Sequence, residues 1–376
     1  MIFSWTQQTF VRDLFDWFEI YGREHLPWRV DRAPYNVWVS EIMLQQTQVA
    51  KVLDYYSRFL EKFPNVSTLA EADEEEVLRL WEGLGYYRRA RQLHAAARQI
   101  VERFGGVFPS RYEDVLSLPG VGRYTAGAIM SFAYDKHYPI LEANTQRLFS
   151  RLIALRTPTA ASESQKRLWE IAGSFVSRET CDSPRIINTA LMDLGSLICT
   201  PNAPQCEKCP LQNACEAFKK DLTKQIPVAK KKVFYENRHE IALVIWENAQ
   251  KKRVCLVRCK DSGRWGGLWD FPRAVVLGDE VDFDFAQNFT KNLVGLALKK
   301  VALLQTFRHG VTKYRIFLEC FEAFCEDAGD IFEKTPEGEC VQWVEVQKLR
   351  QFPLSSTGRQ IAQILESGLD ETSKIC

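Results

Sequence analysis

The chain lacks an excess of either charge: 49 Lys and Arg stand against 48 Asp and Glu in 376 residues, a net charge of +1. Overall charge therefore points to no nucleic-acid or membrane-surface partner. Any attraction to DNA has to come from local patches and backbone donors. A run of about 18 apolar residues is also missing, so no membrane-spanning helix and no membrane partner are expected. The opening residues, Met1 to Gln8, have neither a basic start nor an apolar core, and no signal peptide is expected. The eleven cysteines are odd in number and unevenly placed, which argues against a secreted disulfide framework and for a reducing, intracellular (cytoplasmic) setting. What is present is 46% apolar residues, as in a globular protein, and enough length for two domains with separate cores.

The stretch from Leu118 to Asn144 organises the rest. It reads Leu118-Pro119-Gly120-Val121-Gly122-Arg123-Tyr124-Thr125-Ala126-Gly127, then a helix-like run, then Glu142-Ala143-Asn144. Gly120 and Gly122 are expected to give a tight turn with positive φ and to expose backbone N–H groups at a helix N-terminus. Such a place binds a phosphate without reading a base. Glu142 follows Gly120 by 22 residues, so an acid lies at fixed reach from a phosphate anchor. That pairing suggests chemistry on a nucleotide, beside the plainer reading of a helix corner.

Before this stretch the period is helical. Residues 8–21 carry Phe10, Leu14, Phe15, Trp17 and Phe18 at helical spacing. Leu26-Pro27-Trp28-Arg29 is a Pro-broken loop. Asn36 is the expected N-cap of a helix carrying Glu41, which shares a face with Val37, Leu44 and Gln45. An acid there is either a surface carboxylate or a buried proton donor with a raised pKa. Helices are expected over 48–62, 68–82 and 91–104. Between the last two, Gly83 to Ala90 sets Tyr86 and Tyr87 beside Arg88 and Arg89, either as an aromatic wedge or as two core tyrosines.

Cys199, Cys206, Cys209 and Cys215 form C-x6-C-x2-C-x5-C. Zinc usually takes two knuckles of paired cysteines. One close pair with two outliers fits a loop wound round a larger cubane. Lys208 is a candidate phosphate contact on that loop. A lysine-rich linker follows, and beyond about residue 237 the period changes to strands: 240–246, 253–258, 301–307, 314–324 and 340–345, with a helix over 283–295.

Leu-Pro-Gly-Val-Gly-x-x-Thr-Ala and the Ile140-to-Asn144 segment resemble the helix-hairpin-helix DNA glycosylase superfamily. Ser40-Glu41-Ile42-Met43-Leu44-Gln45-Gln46-Thr47-Gln48-Val49 and Gly83-Leu84-Gly85-Tyr86-Tyr87-Arg88-Arg89-Ala90 resemble its adenine DNA glycosylase branch (MutY family). The resemblance runs over about 5–367. It implies a multidomain chain: an all-α glycosylase domain over 1–218 with the [4Fe–4S] loop at 199–215, a basic linker over 219–236, an α+β Nudix-like 8-oxoguanine-recognition domain over 237–367, and a tail over 368–376. The implied reaction is monofunctional hydrolysis of the N-glycosidic bond of adenine paired with 8-oxoguanine or guanine in double-stranded DNA, as in base-excision repair, by a monomer.

Carried onto this chain, Glu41 would be the acid and Glu142 the carboxylate under the sugar, with Tyr124 bonding and placing Glu142 and with Asn144 beside it. Tyr86 and Gln46 would be wedges, with Thr47 next to Gln46. Gly120 and Gly122 would hold phosphate, and Leu26, Trp28, Arg29 and Thr189 would form the adenine pocket. The four cysteines would hold the cluster. The chain departs from the family at three points. Glu142-Ala143-Asn144 replaces Asp-Gly-Asn, Thr189 replaces a base-reading Gln or Glu, and Val311-Thr312-Lys313 replaces a Phe-Ser-His loop. Residues 278–300 also lack the glutamate-rich helix a Nudix hydrolase needs to hold magnesium, so that domain is expected to bind and not to hydrolyse. The alternatives are a related glycosylase for another base and a non-catalytic mismatch binder.

Overall fold

The computed structural model describes residues 7–228, 234–262, 265–276, 282–311, 313–325 and 331–372. The chain divides into two compact units, Met1–Glu71 with Gln92–Lys231, and Ala72–Arg91 with Lys232–Cys376.

The first unit is helical among its described residues, from the Gln7–Tyr21 helix to the short Glu216–Lys219 helix. The Gln7–Tyr21 helix buries Phe10, Leu14, Trp17 and Phe18 on one stripe, against Leu148, Phe149 and Leu194 of the helices Ala143–Leu152 and Pro184–Leu197. The Pro34–Leu44 helix is buried nearly all round from Tyr35 to Met43, as befits a helix inside a domain. It starts at Pro34, whose missing N–H is one of the orphan donors of a helix start. Asn36 is therefore not the N-cap; it lies inside the first turn and its side chain donates to Asp31 at 2.8 Å. The span 68–82 is two helices, Val66–Glu71 and Glu74–Leu80. No helix among the described residues is long and apolar enough to cross a membrane.

The second unit is a mixed sheet of β1 (Glu236–Trp246), β2 (Arg253–Arg258), β3 (Trp269–Asp270), β4 (Arg273–Val276), β5 (Leu298–Val311), β6 (Tyr314–Cys325) and β7 (Val341–Glu345), in the order β3-β2-β1-β6-β5, with β4 on β1 and β7 on β2. β1 runs parallel to β6, with Glu236 opposite Tyr314 and Trp246 opposite Phe324. Both faces of β1 are buried. Ala242, Val244 and Trp246 pack on a core shared with the Ser356–Thr372 helix, while Ile241, Leu243 and Ile245 face the Phe283–Val294 helix. The tail expected over 368–376 therefore starts inside a helix that runs to Thr372.

Ala72–Arg91 falls in this unit, and its acidic residues make polar contacts there. Glu82 holds Arg359 with two hydrogen bonds of 2.6 and 2.9 Å, and Glu75 accepts the Trp269 indole N–H at 2.8 Å.

Candidate active site

Three elements of the first unit bring the predicted acids together. Glu41 comes from the buried Pro34–Leu44 helix, Tyr124 from the first turn of the Arg123–Phe132 helix, and Glu142 from the N-cap of the Ala143–Leu152 helix. All three line one cavity of about 520 Å³, together with Leu26, Trp28, Arg29, Gln46, Thr47, Asn144 and Thr189. No lysine lines it among the described residues.

Glu41 is 4% exposed. Burial lifts its carboxyl to about 7, and the charge of Glu142 adds to that, while the Tyr124 hydrogen bond and Arg29 pull the other way. Tyr124 donates its phenol O–H to Glu41 Oε2 at 2.8 Å. The expectation that Tyr124 would hold Glu142 is corrected: its partner is the first acid. Burial and the two neighbouring glutamates raise the Tyr124 pKa far above its ordinary value, so it remains a donor. Gln46, next to that helix end, sits at φ +56 and Thr47 donates its N–H to Leu44 O.

Glu142 is a helix cap and a cavity residue at once. Its Oε1 accepts from Thr145 N at 2.8 Å, and its Oε2 accepts from Asn144 N at 2.8 Å and Asn144 Nδ2 at 3.1 Å. The Thr145 hydroxyl returns the contact to Glu142 N at 2.9 Å, closing a capping box. The longer arm is thereby clamped at both oxygens. Burial raises its carboxyl, and the N–H donors of Asn144 and Thr145 and the charge of Arg147 reduce that rise without cancelling it. Arg147 in turn donates to Asn144 Oδ1 at 2.8 Å and to Cys199 O at 2.7 Å.

Sequence reasoning missed Asp193. Its side chain is fully buried and receives Arg23 and Arg29, with the two Arg29 bonds at 2.7 and 2.9 Å. Burial pushes Asp193 up, but these guanidiniums outweigh it and hold the carboxyl below its usual range. The signal available was an acid within an apolar helical stretch, Ala190 to Leu194. Arg29 is thus fixed by Asp193. The Thr189 hydroxyl, on the same cavity wall, donates to Arg185 O at 2.7 Å, so it offers a base only an acceptor.

In the turn before Arg123, only Gly120 has positive φ, +77, and a Cβ there would stand 2.8 Å from Gln92 Cβ. Gly122 has φ −98, in the extended region, and caps the helix with no side-chain bond. The expectation of positive φ at both glycines is corrected. A Cβ on Gly122 would meet nothing within 4 Å, so the bare backbone there leaves room for an approaching partner.

Tyr86 belongs to the other unit. It sits at φ +50, 54% exposed, with the Arg89 guanidinium over its ring at 5.5 Å, while Tyr87 is buried. In the sheet, Val311 pairs with Tyr314 at the tip of the β5–β6 hairpin, and Lys313 binds Glu236 at 2.8 Å on the surface. Thr312 lies outside the described residues.

The four cysteines line one small cavity walled by Leu148, Leu152, Ile198 and Phe218. Arg151 ties the loop down, donating to Thr200 O at 2.7 Å, Pro201 O at 3.0 Å and Cys199 Sγ at 3.3 Å. Among the described residues no three His, Cys, Asp or Glu side chains converge closely enough to hold one ion. The four thiols border one space, and thiolate sulfur is the donor that both iron–sulfur cores and zinc take.

Residues 39–173 match the family model of the HhH-GPD superfamily base excision DNA repair proteins, and residues 241–363 match that of the NUDIX domain. Fold and site thus define a helix-hairpin-helix DNA repair glycosylase followed by a Nudix-like domain. The chain is 33% identical over 313 residues to the adenine DNA glycosylase of Buchnera aphidicola subsp. Baizongia pistaciae, covering 83% of this chain and 85% of that protein. It is 44% identical over 220 residues to the adenine DNA glycosylase of Rattus norvegicus, covering 56% of this chain and 42% of that one. Among solved structures it resembles a thermostable thymine-DNA glycosylase, with TM-score 0.51 and 30% identity over 57% of this chain and 97% of that one. The chain belongs to the adenine DNA glycosylase family, hydrolases of the N-glycosyl bond.

Proposed function

We propose that the cavity receives one adenine nucleotide turned out of a duplex in which adenine faces 8-oxoguanine or guanine, and that Glu41 and Glu142 hydrolyse its glycosidic bond without cutting the strand. The observation that carries this is the meeting of the two glutamates, from positions 41 and 142, in one cavity of about 520 Å³.

Adenine inside a duplex is out of reach, so it has to be flipped. Tyr124 occupies Glu41 Oε2. Oε1 is left to carry the proton, which passes to adenine N7. The bond from sugar to N9 then breaks and its electron pair leaves with the base. The cationic sugar faces the clamped carboxylate of Glu142, as carboxylates face oxocarbenium ions in glycoside hydrolysis generally. Water adds to the anomeric carbon, and the Glu41 carboxylate takes up its proton, restoring the acid. A strand-cutting route through a Schiff base needs an amine nucleophile. The cavity offers the Tyr124 phenol and no lysine among the described residues.

Cys199, Cys206, Cys209 and Cys215 would hold a [4Fe–4S] cluster. When bound, it would cross-link the loop that carries Lys208, an exposed candidate phosphate contact. The β5–β6 hairpin tip and Tyr86 would address the opposite base and the gap left by the flipped one.

Single-turnover release of free base from duplexes with A opposite 8-oxoguanine, A opposite G and T opposite G tests this reading. Release from the first two is expected. Equal or faster release of thymine would contradict it. Borohydride trapping on abasic-site DNA is expected to give little adduct; strong trapping would overturn the monofunctional assignment.

A further inference from the structure

Four arginines line the cavity, and the guanidiniums of Arg23, Arg29 and Arg32 donate hydrogen bonds within the protein. Arg23 and Arg29 are bound to Asp193. Arg32 donates Nε to Arg29 O at 2.7 Å and reaches Glu24 at 3.4 Å. Arg185 is different. Its ion pair is with Asp135 at 3.4 Å, its Nε is buried with no acceptor in the structure, and a quarter of the side chain remains accessible. Arg185 and Thr189 are four residues apart on the Pro184–Leu197 helix, so they stand on one face one turn apart, and both line the cavity. The Thr189 hydroxyl gives its only proton to Arg185 O. The helix therefore presents a donor set at Arg185 and a lone-pair acceptor at Thr189.

We propose that Arg185 and Thr189 together read the outer edge of the flipped base, the guanidinium donating to N1 and the Thr189 oxygen accepting from the 6-amino group. One donor with one acceptor matches adenine. Guanine and hypoxanthine reverse both, with a donor at N1 and an acceptor at position 6, and would leave a cation and a lone pair facing their own kind. Selectivity against a base that lacks a matched group is large where the site's polar groups are buried, because they are then left unpaired. The proposal rests on this cavity being the adenine pocket.

The test is a cycle of protein variants against base analogues, read as single-turnover base release on full-length protein. Each result is taken as the ratio of two substrates in one preparation, so that partial misfolding cancels. Wild-type protein is expected to prefer adenine over 1-deazaadenine, which lacks the N1 acceptor, by roughly 10- to 100-fold beyond their non-enzymatic difference. Arg185→Met is expected to shrink that ratio to within about threefold of the non-enzymatic one while slowing adenine release, and Arg185→Lys to restore part of it. Thr189→Val is expected to do the same for adenine against purine lacking the 6-amino group, and Thr189→Ser to keep the wild-type ratio. Ratios unchanged in Arg185→Met and in Thr189→Val would overturn the proposal. Glu41→Gln run alongside separates the two levels: if it releases adenine at the wild-type rate, the cavity is not the site at all.

Discussion

At the level of single residues, the proposed chemistry depends on an acid being kept neutral by burial. Glu41 has its carboxyl lifted to about 7, so it is protonated below that pH and charged above it. Base release under single-turnover conditions is expected to fall as pH rises through about 7, because the proton donor is then lost. Protonation of Glu142 is expected to bring release down again at the acid end. Stability follows the same titration. A carboxyl whose folded pKa lies above its unfolded value favours the folded state most below the unfolded pKa of 4.5. That contribution fades as pH climbs from 4.5 to about 7, by about 3 kcal/mol in all. Glu41→Gln keeps the shape and removes the charge, so it is expected to unfold at higher denaturant than wild type at pH 8 and to show little gain at pH 4. A variant no more stable than wild type at pH 8 would mean that the acid is not buried as described.

At the level of elements, the two glycines of the hairpin do different jobs, and substitution separates them. Gly120→Ala meets both a positive φ and the Gln92 side chain, and is expected to destabilise the protein by about 1–3 kcal/mol. Gly122→Ala fits its extended backbone and touches nothing within 4 Å. It is expected to leave stability within about 0.5 kcal/mol and to weaken binding of duplex DNA, because the methyl group stands where a phosphate would approach. The reverse pattern would remove the phosphate role from this turn. Sequence alone suggested positive φ for both, since the motif shows where glycines occur and not which of them is strained. Glu142 makes a similar point. A cap and a site acid are alternatives when read from sequence, yet the capping box is what holds this carboxylate at the cavity wall. Asn36 has the right residue type for a cap, but Pro34 starts the helix two residues earlier. Asp193 was legible only as one more acid, because its arginine partners lie 164 and 170 residues away in the chain.

At the level of the whole molecule, the change from helical to alternating period near residue 237 announced two folds, and both are present. The grouping of Ala72–Arg91 with the second unit was not legible, because it depends on side chains such as Glu75 and Glu82 meeting Trp269 and Arg359 from nearly 200 residues away or more. The cysteine loop was legible from spacing, and Arg151, which fastens it, was not. Cys209→Ser is expected to lower the iron bound per chain and to weaken DNA binding, with the circular dichroism of the second unit's sheet unchanged. Full iron content in that variant would remove Cys209 from the cluster.

The central claim is that an acid at 41 and a carboxylate at 142 act on one flipped adenosine. The most direct measurement is single-turnover adenine release from an A:8-oxoguanine duplex by Glu41→Gln, with affinity for the same duplex measured in parallel. The account predicts at least a 100-fold loss of rate, as expected for removing a general acid, with affinity kept within about threefold. Release at the wild-type rate would contradict it.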